Sequence, residues 1–128
     1  MNHRPEQLAA RERQVMDAVY MLGTATVSDV LEAIPNPPSY STVRTHLRIL
    51  ERKGFLRHRE DGRRYVYLPT VPRSRAQRSA LERVLTTFFS DSPSQAVAAL
   101  LDMKAGDLTD ETLDELTALI EQARREGR

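Results

Sequence analysis

The sequence has no cysteine among its 128 residues and only three histidines. Without cysteine there is neither a disulfide framework nor a thiolate metal site. No two of the histidines, His3, His46 and His58, have the close spacing of a metal-binding pair. The few glycines form no phosphate-binding loop and no nucleophile elbow. The sequence therefore predicts no metal, no cofactor and no enzymatic activity.

Long apolar runs are also missing. No stretch approaches the ~18 apolar residues of a membrane span, and residues 1–7 lack the apolar core of a signal peptide. The hydrophobic fraction of 40% suffices for a modest core, while 29% of the residues are charged. We therefore expect a cytoplasmic protein without membrane insertion, built as one domain or as a small domain with an appendage.

The net charge of +1 conceals two oppositely charged regions. Between Arg44 and Arg64 there are eight basic and three acidic residues, whereas between Asp102 and Glu121 there are seven acidic residues and one lysine. Because a polyanion responds to local rather than net charge, only the first region suits contact with nucleic acid.

The first half of the chain has the pattern of three helices. Apolar residues at helical spacing predict a helix over residues 10–22 and a shorter one over residues 28–33, joined by a connection with strand character. The proline-rich run at residues 35–38 ends the second helix, since proline cannot continue it. Ser39 then has the properties of an N-cap and opens a third helix that extends to about Lys53.

The third predicted helix has two contrasting faces. Val43, Leu47 and Leu50 fall on one face, as a core-facing stripe does. Hydroxyl and guanidinium groups near a helix start can meet base edges in the major groove, while later cations and the helix N-terminus meet phosphates. A solvated amphipathic helix is the simpler alternative, but the flanking elements favour DNA reading. The opposite face carries Ser41, Arg44, Thr45, Arg48 and Arg52.

Residues 55–68 predict a β-hairpin. Two strand-like runs flank Asp61-Gly62, a strong turn signal because glycine accepts the positive φ of tight turns. Three helices followed by a hairpin is the order of a winged helix, with the hairpin as its wing. We expect the wing and the two ends of the third helix to contact phosphates. The alternative is that these residues are ordinary surface charges. This set comprises Arg57, Arg59, Arg63 and Arg64 of the wing, with Ser39 and Arg52.

Beyond Pro72 the pattern is purely helical. Three amphipathic segments are predicted, over residues 73–89, from Ser92-Pro93 through Leu101, and after a Thr109 cap. Short amphipathic helices without a larger partner bury their apolar faces poorly, so we infer self-association. The expected dimerisation residues are Leu81, Val84, Leu85, Phe88, Leu113, Leu116, Leu119 and Ile120.

Three segments also share a family pattern. They are Arg11-Glu12-Arg13-Gln14-Val15-Met16, Val27-Ser28-Asp29-Val30 and Ser41-Thr42-Val43-Arg44-Thr45, the last followed by Leu47, Leu50, Lys53 and Gly54. The pattern resembles the penicillinase-repressor family, the BlaI/MecI/CopY group, well over residues 8–70 and more weakly through the C-terminal helices.

The resemblance implies a homodimer that binds a dyad-symmetric DNA operator and represses promoters, in several members those of β-lactam resistance genes. It also implies which positions read bases. These are Ser41, Thr42, Arg44, Thr45 and Arg48, at or beside the exposed face of the third helix.

The chain departs from the family pattern at three places. Some members are inactivated by a signalling protease, triggered by a membrane receptor, that cuts an Asn-Phe bond; the matching place here is Leu101-Asp102. Release by a cut at that bond is therefore not expected. The copper-responsive branch has C-terminal cysteines, which this chain lacks. Ala9 stands where the family often has a threonine cap, so the first helix should start more weakly.

The sequence thus predicts an α+β, mainly α fold: a winged helix-turn-helix over residues 8–70 and a helical dimerisation region over residues 73–126. The predicted function is that of a sequence-specific transcriptional repressor. A winged-helix protein-interaction module that does not bind specific DNA is the alternative, and an enzyme with an unfamiliar site is a third hypothesis.

Overall fold

The computed structural model describes residues 8–127, which form six helices and one antiparallel β-hairpin. The predicted mainly helical winged-helix fold is confirmed. Residues 1–7, on which the expectation of no signal peptide rests, lie outside the described residues. In chain order the elements are α1 (Ala10–Leu22), α2 (Val27–Ala33), α3 (Tyr40–Arg52), β1 (Leu56–Asp61), β2 (Arg64–Pro69), α4 (Arg73–Phe88), α5 (Pro93–Met103) and α6 (Asp110–Arg125).

Most helices begin at a hydroxyl cap. Ser39, Ser92 and Thr109 each accept a hydrogen bond from the backbone N–H three residues later, at 3.1–3.2 Å. These caps are the ones that the sequence predicts. Thr26 caps α2 in the same way, and the Asp29 carboxylate accepts a bond from the Thr26 N–H in return. This reciprocal pair satisfies two helix-end donors, so α2 begins at Val27, one residue earlier than predicted.

The hairpin forms as predicted, with its turn one residue further along. Asp61 pairs with Arg64, so the two central turn residues are Gly62 and Arg63 rather than Asp61 and Gly62. Gly62 has a φ of 65°, which glycine adopts without strain. The connection after α1 adds an isolated β-bridge to the hairpin, since Ala25 exchanges two backbone hydrogen bonds with Tyr67 at 2.8 and 3.0 Å.

The chain divides into two compact units, one through Arg78 and one from Ser79, with the division inside α4. The first unit contains a buried core, in which side chains from α1, α2, α3 and the hairpin meet. Its most buried members include Val15, Val19, Val30, Val43, Leu47, Leu50, Leu56 and Tyr67.

The second unit is different, because α4, α5 and α6 contain no buried residue. Large apolar side chains are exposed on all three helices: Phe88 is 75% exposed, Met103 72% and Leu119 62%. The apolar faces predicted from the sequence are therefore present, and a single chain leaves them accessible to water.

Candidate nucleic-acid interface

Helix α3 presents the basic face that the sequence predicts. Val43, Leu47 and Leu50 are fully buried, and they fix the rotation of the helix about its own axis. Ser41, Arg44, Thr45, Arg48 and Arg52 are consequently exposed on the other side. The core thus determines which side chains of α3 a partner can reach.

The hydroxyl groups of α3 differ in their availability. The Thr42 hydroxyl lies 2.9 Å from the Ser39 hydroxyl, within the cap, and the Thr42 side chain is half-buried. The Thr45 hydroxyl donates to the Ser41 carbonyl at 2.9 Å, so its proton is engaged while its oxygen remains able to accept. The arginines are therefore the long, exposed donors of this face.

A cleft of about 260 Å³ lies between α3, the wing and the start of α2. It brings together Arg44 and Arg48 of α3 with Arg63 and Arg64 of the wing tip. Four guanidinium groups in one concave surface favour an anionic partner, because planar forked donors match phosphate oxygens and guanine edges. This basic cleft is lined by Thr26, Val27, Ser28, Tyr40, Arg44, Arg48, Arg63, Arg64, Tyr65 and Tyr67.

Other predicted phosphate contacts lie outside the basic cleft. Arg57 pairs with Leu68 and Arg59 with Val66, and cross-strand partners share a face of the sheet. His58 and its partner Tyr67 occupy the opposite face, so Arg57 and Arg59 are on the side of the wing away from Tyr67. Ser39 serves as the cap of α3, and Arg52, the last residue of α3, is exposed.

Several residues that line the basic cleft were not predicted from the sequence. Thr26 and Ser28 reach the basic cleft from the start of α2, and Tyr40 from the first position of α3. The Thr26-x-x-Asp29 spacing is a capping-box signal that predicts a helix start at this place. Nothing in the sequence indicates that this start lies beside the wing, because that proximity depends on the pairing of Ala25 with Tyr67.

The electrostatics of the basic cleft are dominated by cations. The Thr26 backbone N–H holds the pKa of the Asp29 carboxyl below its ordinary value, with smaller contributions from the Thr26 hydroxyl and the charge of Arg64. Burial raises the pKa of Tyr67, so its phenol stays neutral.

Within residues 8–127 no helix is long and apolar enough to cross a membrane, and no three potential ligands are grouped to hold a metal ion.

Three helices, a hairpin wing and an exposed basic third helix together define a winged helix-turn-helix, the architecture of many DNA-binding transcription regulators. The solved structure of the hsRosR-S1 complex has this fold. It is similar to the chain with a TM-score of 0.59 at 18% sequence identity, covering 80% of this chain and 96% of that one.

Residues 8–122 match the family described as penicillinase repressor, and the chain belongs to it. The penicillinase repressor of Bacillus licheniformis is 25% identical over 118 residues, which cover 91% of each chain. An uncharacterised 16.5 kDa protein of Latilactobacillus sakei is 29% identical over 112 residues, covering 86% of this chain and 77% of that protein. The resemblance seen in the sequence is thus confirmed. The chain is a winged-helix transcriptional repressor, and its family consists of DNA-binding regulators rather than enzymes.

Proposed function

We propose that the chain acts as a homodimer on a dyad-symmetric operator, and that the repressed genes include those of β-lactam resistance. The observation that carries the DNA-binding part is the convergence of Arg44, Arg48, Arg63 and Arg64 on one cleft. The target genes rest on the similarity to a relative known as a penicillinase repressor.

In this proposal α3 enters the major groove. Arg44 and Arg48 are one turn apart, with Ser41 and Thr45 on the same exposed face, so together they span neighbouring base pairs. Thr42 stands at the edge of this set, because its hydroxyl is engaged with Ser39. Its contribution is to hold the start of α3 as much as to touch a base.

The wing contacts the phosphate backbone in this proposal. Arg63 and Arg64 extend from the tip on the side of the basic cleft, which makes them the first candidates. Ser39 and Arg52 lie at the two ends of α3, where flanking phosphates pass. Arg57 and Arg59 would reach only a phosphate that runs along the other face of the wing.

A second copy of the chain supplies the two-fold symmetry. Apolar side chains are exposed on every helix of the second unit, where Leu81, Phe88 and Ile120 are more than half exposed, and exposed apolar faces of this kind favour pairing with a partner. Pairing of these faces would carry two winged helices to two half-sites. For such dimers the half-site centres are about one helical turn apart, roughly 10 bp.

The experiment begins with selection of bound sequences from random DNA, for which we expect an inverted repeat. Binding to this operator and to scrambled DNA is then titrated at several salt concentrations. Arg44→Ala or Arg48→Ala should cost about 1–3 kcal/mol on the operator and relax preference at one base pair per half-site. Arg63→Ala or Arg64→Ala should weaken binding to both DNAs alike and reduce the salt slope by about 1 per lost phosphate contact.

Arg83→Ala is the matched control, because Arg83 is an exposed arginine of α4 on the side away from Leu81 and Phe88. It should bind like the wild type. If Arg44→Ala and Arg48→Ala lost equal affinity for operator and scrambled DNA, α3 would not be the reader. If the wild type selected no sequence at all, the protein-interaction alternative would replace this proposal.

A further inference from the structure

Three side chains link α3 to the wing. His58, on β1, donates a hydrogen bond from Nδ1 to the Glu51 carboxylate in the last turn of α3. On its other side the His58 ring is stacked on the Tyr65 ring, with centroids 4.0 Å apart and planes within 11°. Tyr65 directly follows Arg63 and Arg64 in the chain. We name this arrangement of Glu51, His58 and Tyr65 the helix–wing link.

The helix–wing link lies where the wing has few other attachments. At its base the wing is held by the two backbone bonds between Tyr67 and Ala25 and by the burial of Tyr67, which is 1% exposed. Beyond Tyr65 only the two paired strands remain, and an isolated two-stranded hairpin is marginally stable in water. The contacts of His58 therefore join the wing to α3 close to the tip that carries Arg63 and Arg64.

The link is partly protected from water. The side chains of His58 and Glu51 are 29% and 30% exposed, so their bond is less screened than a surface ion pair. It also holds the Glu51 carboxylate, which follows Arg48 by three residues, in contact with a donor.

We propose that His58 is a positioning residue for DNA binding: through Glu51 and Tyr65 it sets where the wing-tip arginines lie relative to Arg44 and Arg48. This inference rests on the proposed function. Its consequence is that the phosphate contacts of the wing depend on a histidine that itself touches no DNA.

His58→Phe in the full-length chain tests this inference, because phenylalanine keeps a ring against Tyr65 and removes the Nδ1–H donor. We expect operator affinity to fall about three- to tenfold and the salt slope to fall by about 1. Glu51→Ala should give the same loss from the other side of the bond. Glu51→Gln retains an acceptor for the Nδ1–H, so its salt slope should equal that of the wild type and exceed that of Glu51→Ala.

A double-mutant cycle separates positioning from general stability. In a chain that already carries Arg63→Ala and Arg64→Ala, His58→Phe should have no further effect on affinity, since the contacts it positions are gone. Glu12→Gln is the matched control: it breaks an ion pair that joins α3 to α1 instead of the wing. It should lower the free energy of unfolding and leave the salt slope unchanged.

The outcomes distinguish this inference from the proposed function. A wild type without preference for operator DNA would remove the proposed function and this inference with it. A wild type that discriminates, combined with His58→Phe and Glu51→Ala variants of unchanged affinity and slope, would overturn the role of His58 alone. Full additivity of His58→Phe with the wing-tip substitutions would overturn it as well.

Discussion

Glu12 is a charged side chain placed in the core, 6% exposed, and its partners explain why it is tolerated there. Its two carboxylate oxygens each accept a bond from Lys53 Nζ at 2.9 Å, and one also accepts from the Ala9 N–H at 3.1 Å. The hydrogen bond from Lys53 is the largest cause that holds the pKa of Glu12 below its ordinary value. The pair ties the beginning of α1 to Lys53, the C-cap of α3.

This pair should make stability depend on pH. Because the pKa of Glu12 is lower in the folded than in the unfolded chain, its contribution is complete above the unfolded value and is lost as the pH falls through the folded one. Glu12→Gln should reduce the free energy of unfolding by about 1–2 kcal/mol at neutral pH. This is less than a fully buried ion pair would contribute, because the Lys53 side chain is half-exposed and water screens its charge. The difference from wild type should shrink in acid, as measured by urea unfolding at each pH.

Glu32→Gln is the control, since Glu32 is an exposed carboxylate on α2. It should change stability little at either pH. A cost of Glu12→Gln that stayed constant from neutral pH into acid would mean that the carboxylate contributes through packing, and the charge argument would be wrong.

Among the helices, α1 differs from its neighbours in how it starts. Ala9 has the extended N-cap conformation, with φ −65° and ψ 159°, but no side-chain oxygen to accept a bond. Only one half of a capping box is present, the hydrogen bond that the Ala9 N–H donates to the Glu12 carboxylate. Helices α2, α3, α5 and α6 each have a hydroxyl at this position.

Ala9→Ser should therefore stabilise the chain. A serine at this position can accept a bond from the backbone N–H of residue 12, and such caps contribute about 0.5–2 kcal/mol. Thermal or urea unfolding measures the gain. Ala10→Ser, one residue inside α1, provides the comparison and should give no gain, because a serine within a helix competes with the backbone. Equal effects at the two positions would contradict the capping explanation.

Leu101-Asp102, the bond that the sequence resemblance aligns with the family's cleavage site, lies inside α5. Leu101 and Asp102 are both helical and lie in the last turn of α5, and Leu101 is half-buried. The exposed turn at residues 104–107 follows directly, and exposed turns are the preferred sites of proteolytic nicking. In induced cells we expect no fragment ending at Leu101, as determined by mass spectrometry of the chain.

A variant with Leu101→Asn and Asp102→Phe restores the side chains of the family's bond while leaving its position unchanged. Cutting of this variant after residue 101, with the wild type left intact, would show that the side chains at these two positions determine whether the protease cuts the bond. Cutting of the wild type at this bond would show that the Leu-Asp pair is accepted and that our expectation is wrong.

For the chain as a whole, the decisive question is how the apolar faces of α4, α5 and α6 are covered. The double substitution Leu81→Glu and Phe88→Glu places charges at side chains that are 62% and 75% exposed. Because these positions contribute little to the core of a single chain, folding should persist while the dimer dissociates. Analytical ultracentrifugation at tens of micromolar should detect a dimer for the wild type and a monomer for the variant.

Thr86→Glu is the matched control, since Thr86 is exposed on the polar side of α4. It should leave the dimer intact. The dissociated variant should also bind a full operator far more weakly than a wild type that places both winged helices on one DNA. A wild type that sediments as a monomer would refute the dimer and leave the fold of the individual chain unaffected.

Much of the architecture follows from local patterns in the sequence. The bounds of α1, the caps at Ser39, Ser92 and Thr109, and the exposed face of α3 were all predicted, since helical periodicity and capping act within a few residues. The hairpin was predicted for the same reason, and its turn was misplaced by one residue because strand register depends on pairing across the sheet.

Other features exist only because distant segments fold together. The sequence alone gives no reason for Lys53 to meet Glu12, 41 residues away, or for the start of α2 to line a cleft with the wing tip. Likewise, the hydrogen bond of His58 to Glu51 and its stacking on Tyr65 depend on how the wing packs on α3. The sequence by itself determined which residues form helices, which form the hairpin and which side of α3 is basic. Only the tertiary structure decided which of the arginines converge on one cleft, because convergence depends on packing between elements rather than on the order of residues.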